Sequence, residues 1–154
     1  MKHYLSVACA LVAIALTAST CEKMEPGDYR DYRGNKINLL GDWALVEVQY
    51  RTAGVVETSA VEPASVMEFA PKGIGYTKNR SGEVLDTWHY QTYRAAVTLF
   101  TNAEWENNRS LGEDDPQYER GKTYYFHVID DETLSSEEKV SSNSSIINIF
   151  RRVY

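Results

Sequence analysis

The chain has 154 residues, with 16 Lys and Arg against 22 Asp and Glu, for a formal net charge of −6 at neutral pH. That acidic balance argues against a nucleic-acid backbone or an anionic headgroup as the main partner, since both call for clustered basic side chains. With two cysteines and the length of one domain, the chain can bury a core that depends on neither disulfide nor structural metal.

At the N-terminus, Lys2 and His3 precede an apolar run over residues 5–16, followed by small residues as far as Thr20. These are the n-region, h-region and cleavage zone of a secretory signal. The run falls short of the ~20 apolar residues a membrane-spanning helix needs, and no other stretch replaces it, so no transmembrane helix is expected.

The segment ends Leu16-Thr17-Ala18-Ser19-Thr20-Cys21 and turns polar at Glu22. It resembles a lipobox, with Thr20 where Gly, Ala or Ser is usual, a looseness shared by surface lipoproteins of Bacteroides-type bacteria. Cys9 lies inside the signal, so a bond between Cys9 and Cys21 has no place in the mature protein, and lipidation is the economical use of Cys21. The resemblance implies attachment to the cell envelope, on the outer membrane, through a lipid at Cys21.

Residues 1–20 then form the signal peptide, and cleavage leaves 134 residues. Residues 21–36 read as the lipidated cysteine and a flexible tether, because they hold Pro26, Gly27, Gly34 and several charges without apolar periodicity. About fifteen such residues can hold a domain tens of ångströms from a lipid surface. Glu22 and Glu25, soon after the cysteine, resemble the surface-export signals of Bacteroides-type lipoproteins.

Residues 37–154 form the folded domain, with apolar and polar residues alternating in short runs and hardly any helical period, which indicates an all-β domain. The first strand covers residues 42–51, with Val46, Val48 and Tyr50 on one face and a local irregularity that also brings Trp43 and Leu45 inward. Residues 65–70 follow, with Met67 and Phe69 inward. Pro71-Lys72-Gly73 turns the chain into residues 74–78, and Asn79-Arg80-Ser81-Gly82 turns it again into residues 84–93, where Trp88 and Tyr90 oppose His89. Residues 95–101 pair next, with Val97 and Leu99 on one side.

The interval 102–121 breaks the rhythm and holds Trp105, Gly112, Pro116 and the acidic run Glu113-Asp114-Asp115; a connection that long is often functional or disordered. Alternation resumes over residues 122–129, with Tyr124, Phe126 and Val128 on one face, and continues after Asp130-Asp131-Glu132 through residues 133–140 and 145–154. Eight antiparallel strands in meander order most simply close into an up-and-down barrel, because closure removes exposed sheet edges.

The stretch Leu39-Leu40-Gly41-Asp42-Trp43-Ala44-Leu45-Val46 resembles the G-x-W opening strand of lipocalin-like domains, and Ile147-Asn148-Ile149-Phe150-Arg151-Arg152-Val153-Tyr154 resembles their closing strand. Met67-Glu68-Phe69, Trp88-His89-Tyr90 and Tyr124-Tyr125-Phe126 extend the likeness over residues 39–154. The resemblance implies an eight-stranded antiparallel lipocalin-like barrel whose opening-strand Trp43 lies across one end, capped by an arginine of the last strand. Alternation picks Arg151 over Arg152, because Arg151 shares a face with Ile147 and Ile149, and a guanidinium over an indole contributes roughly 0.5–2 kcal/mol.

No catalytic constellation outweighs its bland alternative, and no enzymatic activity is expected. After signal cleavage only His89 and His127 remain, each in a strand; there is no Cys pair and no zinc spacing, so neither metal nor cofactor is expected. Asp114-Asp115 and Asp130-Asp131 read as solvated turns, and residues 141–145 as a serine-rich loop without a nucleophile-elbow pattern.

Eleven tyrosines and three tryptophans are the chain's distinctive resource. Trp43, Trp88, Tyr90, Tyr124 and Phe126 can simply fill the barrel, and the number of large inward residues favours that arrangement. Alternatively Trp88, Tyr90 and Tyr124 line an open mouth and, with Trp105 as a lid, hold a small apolar or sugar-like ligand. An accessory module that binds another envelope protein is the further alternative.

Overall fold

The computed structural model describes residues 24–154. In chain order they form β1 (Asp28–Arg30), β2 (Lys36–Asn38), β3 (Gly41–Thr52), β4 (Val55–Ala60), β5 (Ser65–Ala70), β6 (Ile74–Asn79), β7 (Val84–Tyr93), β8 (Ala96–Thr101), the helix α1 (Asn102–Asn108), β9 (Lys122–Tyr124), β10 (Phe126–Asp130), β11 (Thr133–Ser141) and β12 (Ser144–Val153). Apart from the β1–β2 hairpin, the strands join one sheet in the order β10-β11-β12-β3-β5-β6-β7-β8-β9, with β4 added beside β3.

Only Tyr125 separates β9 from β10, so the two are halves of one interrupted strand. Its first half pairs with β8 and its second half with β11, which closes the sheet on itself. Counted as one strand, they complete an eight-stranded antiparallel up-and-down barrel, the architecture found in lipocalins. The strand segments are those read from alternation, because a period of two has to match one wet and one dry face.

Residues directly opposed across a ladder share a face, and the inward set is aromatic. Phe69 packs edge-on against Trp88 at 5.1 Å and Tyr90 at 5.0 Å, while Phe126 packs against Phe150 at 5.8 Å and stacks on Tyr124 at 5.5 Å. Gly75, opposite both Phe69 and Trp88, leaves room for the indole. A Cβ there would overlap the Trp88 ring, so Gly75→Ala is expected to destabilise the fold by about 1–3 kcal/mol through overpacking. Urea denaturation followed by Trp fluorescence measures it.

In β3 the irregularity expected near its start is a bulge: Ile149 faces Glu47 but Phe150 faces Leu45, leaving Val46 as the extra residue. Trp43 is buried across one end of the barrel, its Nε1–H donating to the Leu39 carbonyl at 2.8 Å. The arginine over its ring is Arg152, 4.4 Å from the centroid, and not Arg151, which is exposed. Alternation misjudged this because β12 carries isoleucines in both phases. The bulge and the cross-strand partners Leu45 and Leu134 select the phase of Phe150, whose face carries Asn148 and Arg152.

The N-terminal segment corrects the expected tether: from Met24 onward it is part of the domain. The β1–β2 hairpin fills the gap where β8 and β10 diverge near the Trp43 end. Ala95 N–H donates to the Arg30 carbonyl at 2.7 Å, the Tyr29 hydroxyl donates to the Phe126 carbonyl at 2.8 Å, and Val128 N–H donates to the Asp31 carboxylate at 3.1 Å. Tyr29, Asp31 and Leu39 are buried. Their wide spacing carries no strand or helix period, so composition alone resembled a linker.

Two further elements depart from expectation. β4 continues the β3 hairpin through a two-residue turn in which Ala53 and Gly54 both have positive φ, a turn shape usually marked by Asn-Gly. The interval 102–121 opens with α1, capped by Thr101 and Glu104, which exchange hydrogen bonds with each other's backbone N–H. That Thr-x-x-Glu spacing was a legible helix start within an otherwise β pattern.

Candidate functional site

The two ends of the barrel differ. Trp43, Phe69, Tyr90, Leu39 and Tyr29 fill the end nearest the N-terminal hairpin. At the opposite end the inward residues shrink and become polar, and the interior opens into a cup with two adjoining lobes. One, of about 590 Å³, has Trp43, Leu45, Met67, Tyr124 and Phe150 deep in it, Ser136 and Asn148 on its wall, and Glu137, Glu138 and Lys139 toward solvent. The other, of about 450 Å³, is lined by Trp88, Leu99, Thr77, Thr101, Asp86 and Glu104. Met67, Lys122 and Tyr124 belong to both.

This division follows from the strand sequences. In β7 the inward positions run Asp86, Trp88, Tyr90, Thr92, and in β11 they run Leu134, Ser136, Glu138, so the charged inward residues, Asp86 and Glu138, fall at the open end of both strands. Lys122 holds its ammonium 4.9 Å from the Tyr124 ring centroid, a cation–π contact. Trp88 donates from Nε1 to the Thr77 hydroxyl at 3.2 Å, which orients the indole in the wall. A floor of aromatic and aliphatic carbon beneath hydroxyl, amide and charged groups is suited to noncovalent retention of an amphipathic molecule.

The four tryptophan and tyrosine positions singled out from sequence separate into three environments. Trp88 and Tyr124 line the cup. Tyr90 lies below it, 1% exposed, its hydroxyl donating to the Ala70 carbonyl at 2.7 Å, and burial pushes the phenol up to about 12. Trp105 is no lid: α1 sets it on the outer surface, stacked on His89 at 4.7 Å and 5.7 Å from Phe100. His89 and Phe100 are cross-strand partners on the outward face, so Trp105 follows them outside.

The residues that alternation missed are Phe150, Asn148 and Ser136, because Ile147 and Ile149 were read as the inward face of the last strand. Pairing Asn148 with Ser136 and Val48 would have exposed the polar inner wall, but register is not visible in a single strand. His127 is outward, its ring 4.9 Å from Tyr32. Asp115 and Asp130 accept backbone N–H bonds within their own turns, from Gln117 and Glu132. Among the described residues no group of three or more His, Cys, Asp or Glu is placed to hold a metal ion, and no helix is long and apolar enough to cross a membrane. Cys21 lies outside the described residues.

No protein-family model matches the chain, and no curated protein matches it. Among solved structures, the chain is similar to a lipocalin-like protein from Bacteroides uniformis, with 18% sequence identity and a TM-score of 0.46, over 75% of this chain and 98% of that one.

Proposed function

We propose that this chain is a lipid-anchored envelope protein whose barrel binds a small amphipathic molecule in the cup. The observation that carries the reading is the half-filled interior: a barrel packed solid at one end and open at the other, with Trp88, Phe150 and Tyr124 beneath polar and charged groups. A barrel of eight strands holds either its own side chains or one small ligand. Here the large inward residues are concentrated in one half.

The test uses the mature chain with Cys21→Ser and the fluorescent amphiphile 1-anilinonaphthalene-8-sulfonate. Saturable binding at one site is expected, weakened about tenfold by Tyr124→Ala, since losing an aromatic wall removes roughly 1–2 kcal/mol of contact. Met67→Trp, which fills the space shared by both lobes, should abolish binding with little change in melting temperature, and Trp105→Ala should leave binding unchanged. Binding that does not saturate, or that ignores Tyr124 and Met67, rules the cup out.

A second reading, docking of another envelope protein, draws support from β4. Its six residues are all exposed, its only sheet partner among the described residues is β3, and apart from the single charge of Glu57 it carries neither Lys nor Pro, residues that usually guard an edge.

A further inference from the structure

We infer that the closed, Trp43 end of the barrel lies directly against the membrane surface and that the cup opens away from it. The inference rests on the reading of Cys21 as the lipidated residue. Only Glu22 and Lys23 lie between Cys21 and Met24, and three trans peptide units span at most about 11 Å. Met24 is fixed to the closed end: its N–H donates to the Thr92 carbonyl at 3.0 Å, and the Thr92 hydroxyl donates to the neighbouring Glu25 carbonyl at 3.0 Å. Met24 also borders a hollow of about 510 Å³ on that end, together with Arg30, Lys36 and Arg152. A domain held this closely cannot present its far end to the bilayer, because strands of ten to twelve residues separate the two ends by about 30 Å after barrel tilt.

The distribution of charge agrees with that orientation. Charge is distributed unevenly along the barrel axis. On the closed side Arg30, Arg33, Lys36, Lys72, Arg94, Arg151 and Arg152 are nearly balanced by Glu25, Asp28, Asp31, Asp130, Asp131 and Glu132, while the segment from α1 to β9 on the open side is acidic, with Glu104, Glu106, Glu113, Asp114, Asp115 and Glu119 against Arg109, Arg120 and Lys122. An anionic surface therefore repels the open end more strongly than the nearly neutral closed end. The cup would then take its ligand from the aqueous compartment rather than from the bilayer.

The experiment uses the full-length chain, processed and acylated in cells, then reconstituted into vesicles of phosphatidylethanolamine and phosphatidylglycerol that contain a headgroup-nitroxide lipid. With Cys21 acylated, a thiol introduced by Asp131→Cys at the closed end or by Ser142→Cys at the open end is unique and takes one fluorophore. Quenching several-fold stronger at position 131 than at 142 is expected. A flexible Gly/Ser spacer of about ten residues inserted after Glu22 should reduce that difference, because it restores the reach of a true tether. Equal quenching at both positions, or stronger quenching at 142, in protein whose intact mass includes the acyl chains overturns the orientation and leaves the lipoprotein reading standing. An intact mass without acyl chains overturns both.

Discussion

A chain that begins at Ile37 is expected to lose most of the barrel's stability, even though it retains every strand of the closed sheet. The truncation removes Tyr29, 1% exposed in the core, and the buried Asp31. Burial of the tyrosine contributes about 2–3 kcal/mol. Asp31 accepts hydrogen bonds from the backbone N–H groups of Arg33, Asn35 and Val128 and from the Asn35 side chain, and losing it leaves the Val128 N–H without this acceptor, at a cost of about 1–3 kcal/mol. Together these approach the 5–15 kcal/mol that holds a whole domain folded. Urea denaturation of chains starting at residues 22 and 37, followed by circular dichroism, measures the difference; equal midpoints would show the hairpin to be an ornament.

The same carboxylate predicts an acid sensitivity whose sign can be stated. Burial pushes the Asp31 carboxyl up, but its hydrogen bonds, led by that from Val128, outweigh burial and hold it below its ordinary value of 3.8. A folded-state value below the unfolded one means the contribution is complete above about pH 4 and is lost as pH falls through the folded value. Asp31→Asn is therefore expected to cost about 2–3 kcal/mol near neutral pH, with the gap to the parent closing below pH 4. A gap independent of pH would assign the loss to shape rather than charge.

Arg152→Ala is expected to destabilise the barrel by about 2–4 kcal/mol, whereas Arg151→Ala should change stability by less than about 0.5 kcal/mol. The Arg152 guanidinium covers the Trp43 ring and donates to the Leu40 and Asn38 carbonyls, each at 2.7 Å. It thereby ties β12, β3 and the β2 segment together, so its removal uncovers the indole and frees two carbonyls at once. Arg152→Lys should recover only part of the loss, because an ammonium cannot lie flat on the ring while reaching both oxygens. Thermal melts of the three variants decide the matter; equal losses at 151 and 152 would restore the face read from alternation.

The two arginines show where reading strands one at a time stops working. In β7 one parity is Trp88, Tyr90 and Thr92, and the inward face is unambiguous. In β12 Ile146 and Phe150 compete with Ile147 and Ile149, so the choice belongs to the neighbours, here Leu134 on one side and the bulged β3 on the other. Trp105 illustrates the same point for the site. An aromatic residue in a long connection reads equally well as a lid or as a cover for an outer face, and only the outward His89–Phe100 pair under α1 decides it. Trp88 and Tyr124 were legible as cup-lining residues, whereas the polar wall of Asn148 and Ser136 was not.

What the sequence by itself determined is what repeats locally along the chain: eight strands with their turns, the all-β class, and closure as the economical arrangement. Each depends on a period of two or on turn chemistry within a few residues. What only the tertiary structure decided is what depends on residues far apart in the chain: the hairpin sealing the gap between β8 and β10, Arg152 over Trp43, and an interior filled at one end and open at the other. Tyr29 meets Phe126, and Arg152 meets Leu40, across some hundred residues of intervening chain. No local pattern encodes such a meeting, because closing the barrel is what brings the two groups together.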